Sequence, residues 1–330
     1  MKALVYTGPK SMAYQDAATP QPSDEVAIVK VHSVGICGSD MHGYLGHDDR
    51  RPAPLILGHE AAGVVTSGPM TGKRVTVNPM VTCLECEACQ EGRPNICPNR
   101  QLLSMPPREG AFAEFLEIPA RNLTEIPDDM SFDHAALAEP IAVCWHSVRL
   151  GIAALSRPLD KCRALVIGGG AIGVGSALCL KAQGLKAVDV AEPNQRRADV
   201  VASIGDFNVI DPINDSLADS TYDLVIDAVG YGGTRASASA TVKPGGVIVH
   251  IGLGDSGEGF DVRRATLQEI TFIGTYTYTD QDFADTVAGI GSGLFGSLDW
   301  AEVRPLSEGA AAFSDILSGA VAAPKIILHP

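Results

Sequence analysis

Positive charge is scarce in this chain, with 25 Lys and Arg against 39 Asp and Glu in 330 residues, a formal charge of −14. That balance, with a pI near 4.9, argues against a general nucleic-acid or anionic-membrane binder and leaves the substrate open. Long apolar runs are also missing. The most apolar stretch, 164–180, is interrupted by glycines from Gly168 to Gly175 and is too short to span a membrane. Met1-Lys2-Ala3-Leu4-Val5-Tyr6 reads as a short alternating strand that runs into Gly8-Pro9, with no signal-peptide core. Eight cysteines are too few for a disulfide scaffold at this length, and their spacing points to metal. Internal repeats and low-complexity segments are absent. The expectation is a soluble, cytoplasmic protein whose partner is a small molecule, not nucleic acid or a membrane.

What is present is ample core. Hydrophobic residues make up 45% and charged residues 19%, and the length suggests two domains. Short strands are expected at 25–31, 61–65, 74–77 and 110–118, separated by Pro- and Gly-rich turns, which suggests a small antiparallel barrel-like domain. From Ala164 onward the texture changes to alternating strands and helices, the pattern of an open parallel sheet with its ligand crevice at the strand carboxyl ends. Gly230, Gly252 and Thr275 should mark those ends. Two helical segments and a closing strand, Lys325-Ile326-Ile327-Leu328, finish the chain.

Two clusters carry metal-type chemistry. Cys83, Cys86, Cys89 and Cys97 follow C-x2-C-x2-C-x7-C, a spacing suited to a closed tetrahedral zinc site. An iron–sulfur cluster or a zinc knuckle would use similar spacing, but Glu85, Glu87 and Glu91 fit a knuckle poorly. Further upstream, Gly35-Ile36-Cys37-Gly38-Ser39-Asp40-Met41-His42 and Gly58-His59-Glu60 offer a thiolate and an imidazole beside a hydroxyl and a titrating base. A metal with an open position next to such groups is what alcohol oxidation needs. Glu139, in Ala138-Glu139-Pro140, is either a helix-start carboxylate or a further ligand.

The third cluster is Gly168-Gly169-Gly170-Ala171-Ile172-Gly173, between an apolar strand and a helix pattern. Gly168 allows the tight turn, Gly170 lets the backbone approach a pyrophosphate, and Gly173 lets helix and strand pack closely. Glu192 ends the next strand, where a carboxylate can take ribose hydroxyls and repel a 2′-phosphate, favouring NAD over NADP. Arg196 and Arg197 follow, and an arginine there could instead accommodate that phosphate.

With these motifs in this order, the whole chain resembles the zinc-dependent medium-chain dehydrogenases, most closely the polyol (sorbitol) and threonine dehydrogenase branch. The resemblance implies an α/β fold: a doubly wound parallel (Rossmann) sheet over 146–277, and a β-rich GroES-like catalytic domain over 1–145 and 278–330. It implies two Zn2+ per chain. Cys37, His59 and Glu139 would hold the catalytic ion, with Glu60 a fourth ligand or a neighbour that helps ligand exchange. The four cysteines would hold a structural ion. Asp40 would hydrogen-bond His59. A proton would leave through Ser39, the cofactor ribose and His42. Val143 would pack beneath the nicotinamide, and the backbone near Leu253 and Thr275 to Thr277 would hold its carboxamide; the alternative reading of Arg196 and Arg197 is that they cap a helix and cross the pyrophosphate or adenine edge. The implied activity is NAD-linked oxidation of a secondary hydroxyl of a polyol or sugar-like compound. A sugar phosphate or amino alcohol is the alternative substrate, and a homodimer or homotetramer the implied assembly. A non-catalytic NAD-binding protein and a zinc-free reductase are the rival readings.

Overall fold

The computed structural model describes residues 1–255 and 257–330. Its nucleotide-type half is a six-stranded sheet in the order Asn208–Ile210, Ala187–Ala191, Arg163–Ile167, Tyr222–Asp227, Val242–His250, Thr271–Gly274, every pair parallel. Chain order therefore reverses between Arg163–Ile167 and Tyr222–Asp227, and a crevice opens at the carboxyl ends of these two strands. Both faces of the central strands are covered, so Ala164–Ile167 and Leu224–Ile226 are apolar and buried at successive positions rather than alternately. Ala164 and Val166 pack into the core around helix Ala138–Ala153, while Leu165 and Ile167 pack into the core on the opposite face.

The other half is built on a seven-stranded sheet. Its path runs Leu123–Glu125, Arg74–Val77, Glu60–Ser67, Val26–Gly35, Lys325–His329, Ala301–Pro305, and Phe115–Pro119 shares the outer edge of Val26–Gly35. A three-stranded sheet of Ser11–Asp16, Lys2–Gly8 and Leu55–Ile56 packs nearby, and Leu4, Val29, Phe112 and Phe313 fill the core between them. The barrel-like antiparallel expectation misses one feature. Ala301–Pro305 and Lys325–His329 pair in parallel, because helix Gly309–Ser318 carries the chain back between them.

Element boundaries differ from the sequence reading mainly in length. The strand expected over 25–31 extends to Gly35, and that extension brings Gly35 opposite Glu60. The helix that starts at Ala138 runs to Ala153, five residues beyond Val148, and position 145/146 falls inside it. The expected strand 110–118 forms only at Phe115–Pro119, because Gly110 to Phe112 instead thread against Ile56–Gly58 through backbone hydrogen bonds.

Candidate active site

Helix Gly38–Tyr44 begins at Cys37, whose backbone N–H donates to Asp40 Oδ2 at 3.0 Å. The other Asp40 oxygen accepts from Gly58 N at 3.1 Å and lies 3.4 Å from His59 Nδ1. One buried carboxylate thus ties the helix start to the segment bearing His59 and fixes the imidazole's outer nitrogen. Burial alone would push the Asp40 carboxyl up. The His59 charge and hydrogen bond, with Arg51 nearby, outweigh it and hold the carboxyl below its usual range. Two glycines make room. A Cβ at Gly58, where φ is +90°, would lie 2.6 Å from the Phe112 ring, and a Cβ at Gly35 would lie 2.0 Å from Glu60 Oε2.

The Cys37 sulfur, a His59 ring nitrogen and a Glu60 oxygen lie within 4.8 Å of one another. Thiolate, imidazole and carboxylate donors converging on one point suit zinc with an open position. Glu139 is not part of that group. Its Oε1 accepts from the Tyr278 hydroxyl at 3.1 Å, and both side chains are buried. Burial pushes the Glu139 carboxyl up to about 7, with the Glu60 charge adding to it against His59 and Lys325. The expectation that Glu139 completes the ligand set with Cys37 and His59 thus meets a different arrangement. Glu60 stands with those two, and Glu139 is held at their side by Tyr278.

Lys325 is the residue that sequence reading placed only in a closing strand. Its ammonium, 4% exposed, donates to both Glu60 oxygens at 2.7 Å and to Ile36 O at 2.8 Å. Burial would lower its pKa, but the Glu60 and Cys37 charges raise it. Ser39 and His42 stand three residues apart on helix Gly38–Tyr44, on one face and half-buried.

The four cysteines also converge, all within 4.8 Å, with Cys97 Sγ 3.4 Å from Cys83 Sγ. Backbone N–H groups of Glu85 and Cys86 lower the Cys83 thiol to about 6. Burial and then the neighbouring Cys86 push Cys89 up to about 12. Four sulfurs this close repel as thiolates, so a cation of zinc's chemistry is what lets all four ionise together.

The glycine turn is built as its spacing implies. Gly168 takes φ +100°, and a Cβ at Gly173 would lie 1.7 Å from the Gly168 carbonyl oxygen. Gly170, the N-cap of helix Ala171–Ala182, faces open space. Glu192 accepts from Gly169 N and Asn194 N, each at 2.8 Å, so part of its capacity serves the turn itself. Asp227 organises the adjoining strand end by accepting from Val229 N, Gly230 N, Thr234 Oγ1 and His250 Nδ1. Gly230 takes φ +82° against the Gly252 backbone, and Leu253 stands 69% exposed beyond it. Half-buried Val143 and the Thr275–Ser147 hydroxyl pair, 2.8 Å apart, lie along helix Ala138–Ala153.

A single cleft of about 260 Å3 joins the parts. It is lined by Cys37, Glu60 and Lys325 from the catalytic half and by Gly170, Ala171, Ile172 and Arg197 from the nucleotide half. Arg197 Nη2 donates to Val321 O at 3.3 Å, while its Nε has no partner among the described residues.

Residues 23–128 match the family model described as the alcohol dehydrogenase GroES-like domain, and residues 171–290 match that of the zinc-binding dehydrogenases. The chain is 31% identical over 298 residues to the L-galactonate-5-dehydrogenase of Escherichia coli K12, covering 86% of this chain and 85% of that one. It is 30% identical over 298 residues to the sorbitol dehydrogenase of Bacillus subtilis, covering 85% and 83%. Among solved structures, an alcohol dehydrogenase of Escherichia coli CFT073 complexed with NADH superimposes with a TM-score of 0.89 at 26% identity, covering 100% and 99%. A GroES-like β domain on a Rossmann sheet, around a cleft of this composition, defines a dehydrogenase of the zinc-dependent alcohol dehydrogenase type. The chain belongs to the zinc-dependent medium-chain dehydrogenases, in their polyol dehydrogenase branch. Among the described residues, no helix is long and apolar enough to cross a membrane.

Proposed function

We propose that this enzyme interconverts a secondary alcohol and a ketone on a polyol or sugar-like substrate, using NAD(H) and two zinc ions per chain. The observation that carries the reading is the shared cleft, where Cys37 and Glu60 face the glycine turn. The domains divide as 1–145 with 278–330 for catalysis and 146–277 for the nucleotide.

Cys37, His59 and Glu60 would hold the catalytic zinc, with Glu139 beside them, and Cys83, Cys86, Cys89 and Cys97 would hold the structural one. Zinc held at the first site would supply the Lewis acidity that alcohol oxidation near neutral pH needs. NAD on the Gly168–Gly173 turn supplies the hydride acceptor. The chain's own residues do the rest. Asp40 fixes the His59 ring, and Lys325 balances the Glu60 charge. Ser39 accepts the substrate proton, and His42 passes it to solvent. Glu192 and Arg197 address the ribose and pyrophosphate, Val143 supports the nicotinamide, and the backbone from Thr275 to Thr277, with Gly230 and Leu253, frames its carboxamide. The carboxylate at Glu192 favours NAD over NADP. We place the protein in the cytoplasm as a homodimer or homotetramer.

The names of the relatives, for galactonate and sorbitol, both denote polyhydroxy chains, which supports this substrate class. Zinc content per chain, measured with NAD reduction across a panel of polyols and sugar acids, tests the reading. Two zincs and turnover on one or a few panel members are expected. One zinc, lost in Cys89→Ser but retained in Cys37→Ser, would overturn it.

A further inference from the structure

Thr277 is a β-branched residue at φ +47°, a conformation that persists only where its surroundings impose it. It sits in the segment 275–278, which borders the reaction site on one side and the four-cysteine lobe on the other. On the reaction side, Thr275 bonds Ser147 at 2.8 Å and Tyr278 bonds Glu139 at 3.1 Å. On the lobe side, Asn95 Nδ2 donates to the Tyr276 carbonyl at 2.9 Å, and the Arg100 guanidinium lies over the Tyr276 ring, 4.8 Å from its centroid. Asn95 and Arg100 flank Cys97, whose carbonyl accepts from Arg100 Nη1 at 2.8 Å.

We infer that Asn95 is a positioning residue for the reaction, through which the four-cysteine lobe holds Thr275 to Tyr278 in the shape the cofactor and Glu139 require. The side chain is 6% exposed, and its Oδ1 has no partner among the described residues. Packing alone would favour an apolar residue there, because a half-satisfied buried amide is destabilising. Its one bond goes to the carbonyl next to the strained residue. The lobe is therefore a brace for the wall of the active site as well as a fold for its own loop. This inference rests on the proposed dehydrogenase reading for its catalytic consequence only.

The test uses Asn95→Asp, which keeps the shape but removes the donor, and Asn95→Ala, each as the full zinc-loaded protein. Hydrogen exchange at the 275–279 amides reads positioning without any substrate, and zinc content reads the lobe. Both variants are expected to keep the parent's zinc content and to exchange faster over 275–279. Each should lose roughly tenfold in kcat/KM, mostly through KM for NAD, as the loss of one buried hydrogen bond implies. Unchanged exchange with unchanged zinc would overturn the inference. A uniform fall in melting temperature and kcat with no KM change would also overturn it, since a merely structural residue behaves so. A parent that binds no NAD and turns nothing over would sink the dehydrogenase reading, and the exchange result would still decide the role of Asn95.

Discussion

At the scale of single residues, Cys37 and His59 are the sharpest levers. Cys37→Ser or His59→Ala should abolish turnover while NADH binding and the zinc of the cysteine lobe persist, which metal analysis and nicotinamide fluorescence would check. Glu192→Ala should weaken NADH by roughly tenfold, the worth of one charge-assisted hydrogen bond, and narrow its preference over NADPH. Paired titrations with the two nucleotides read this directly. Asp282 offers a pH test outside the two metal-ligand groups. It accepts from His146 at 2.7 Å, from Arg149 at 2.8 Å and from the Thr279 hydroxyl at 2.6 Å. Burial would raise its carboxyl, but those partners, His146 first, hold it far below the ordinary range. A depressed pKa contributes stability above the unfolded value of about 4, and that stability drains away as pH falls toward the folded value. Asp282→Asn should therefore cost about 3 kcal/mol near neutrality, as for a broken buried ion pair, and the gap to the parent should shrink below about pH 4. Chemical denaturation across pH would show it.

At the scale of elements, the glycine turn separates two roles that a sequence motif presents as one. Gly170 faces open space in an extended conformation, so Gly170→Ala should leave the melting temperature unchanged while NADH affinity falls. Gly173→Ala should damage both, since its Cβ would collide with the Gly168 carbonyl. Comparing thermal melts with NADH titrations distinguishes these outcomes. This turn was legible in the sequence because the need for glycine is local: a tight turn and a close approach are demands on neighbouring backbone. The four cysteines were legible for the same reason, since short spacing alone brings their sulfurs together. Lys325, Tyr278 and Asn95 were not, because their partners Glu60, Glu139 and Tyr276 lie 265, 139 and 181 residues away along the chain. A lysine in an apolar strand reads as an edge residue until the fold sets Gly35 and Glu60 beside it. The position of Glu139 outside the Cys37, His59 and Glu60 group was likewise hidden, since only the Tyr278 hydroxyl explains it.

At the scale of the whole molecule, the cleft joins the two halves, so cofactor binding and global stability are linked. Saturation with NADH at 100 times its Kd should add about 2.7 kcal/mol, seen as a rise in melting temperature, and NADPH at the same concentration should add less. Equal shifts from both nucleotides would contradict the reading of Glu192.

The parallel pair of Ala301–Pro305 and Lys325–His329 has a consequence for the birth of the protein. The ribosome delivers Val26–Gly35 and Glu60–Ser67 early, then the entire nucleotide sheet, and only afterwards the strand that covers the outer edge of Val34 and Gly35. Until that strand emerges, the nascent catalytic half carries an open strand edge and a buried Glu60 with no ammonium beside it. The six strands of the parallel sheet are all made by Gly274, although Tyr278, Phe283 and Trp300 from later sequence complete the core on one of its faces. During synthesis, then, all six strands of the nucleotide sheet precede the strand that brings Lys325 to Glu60.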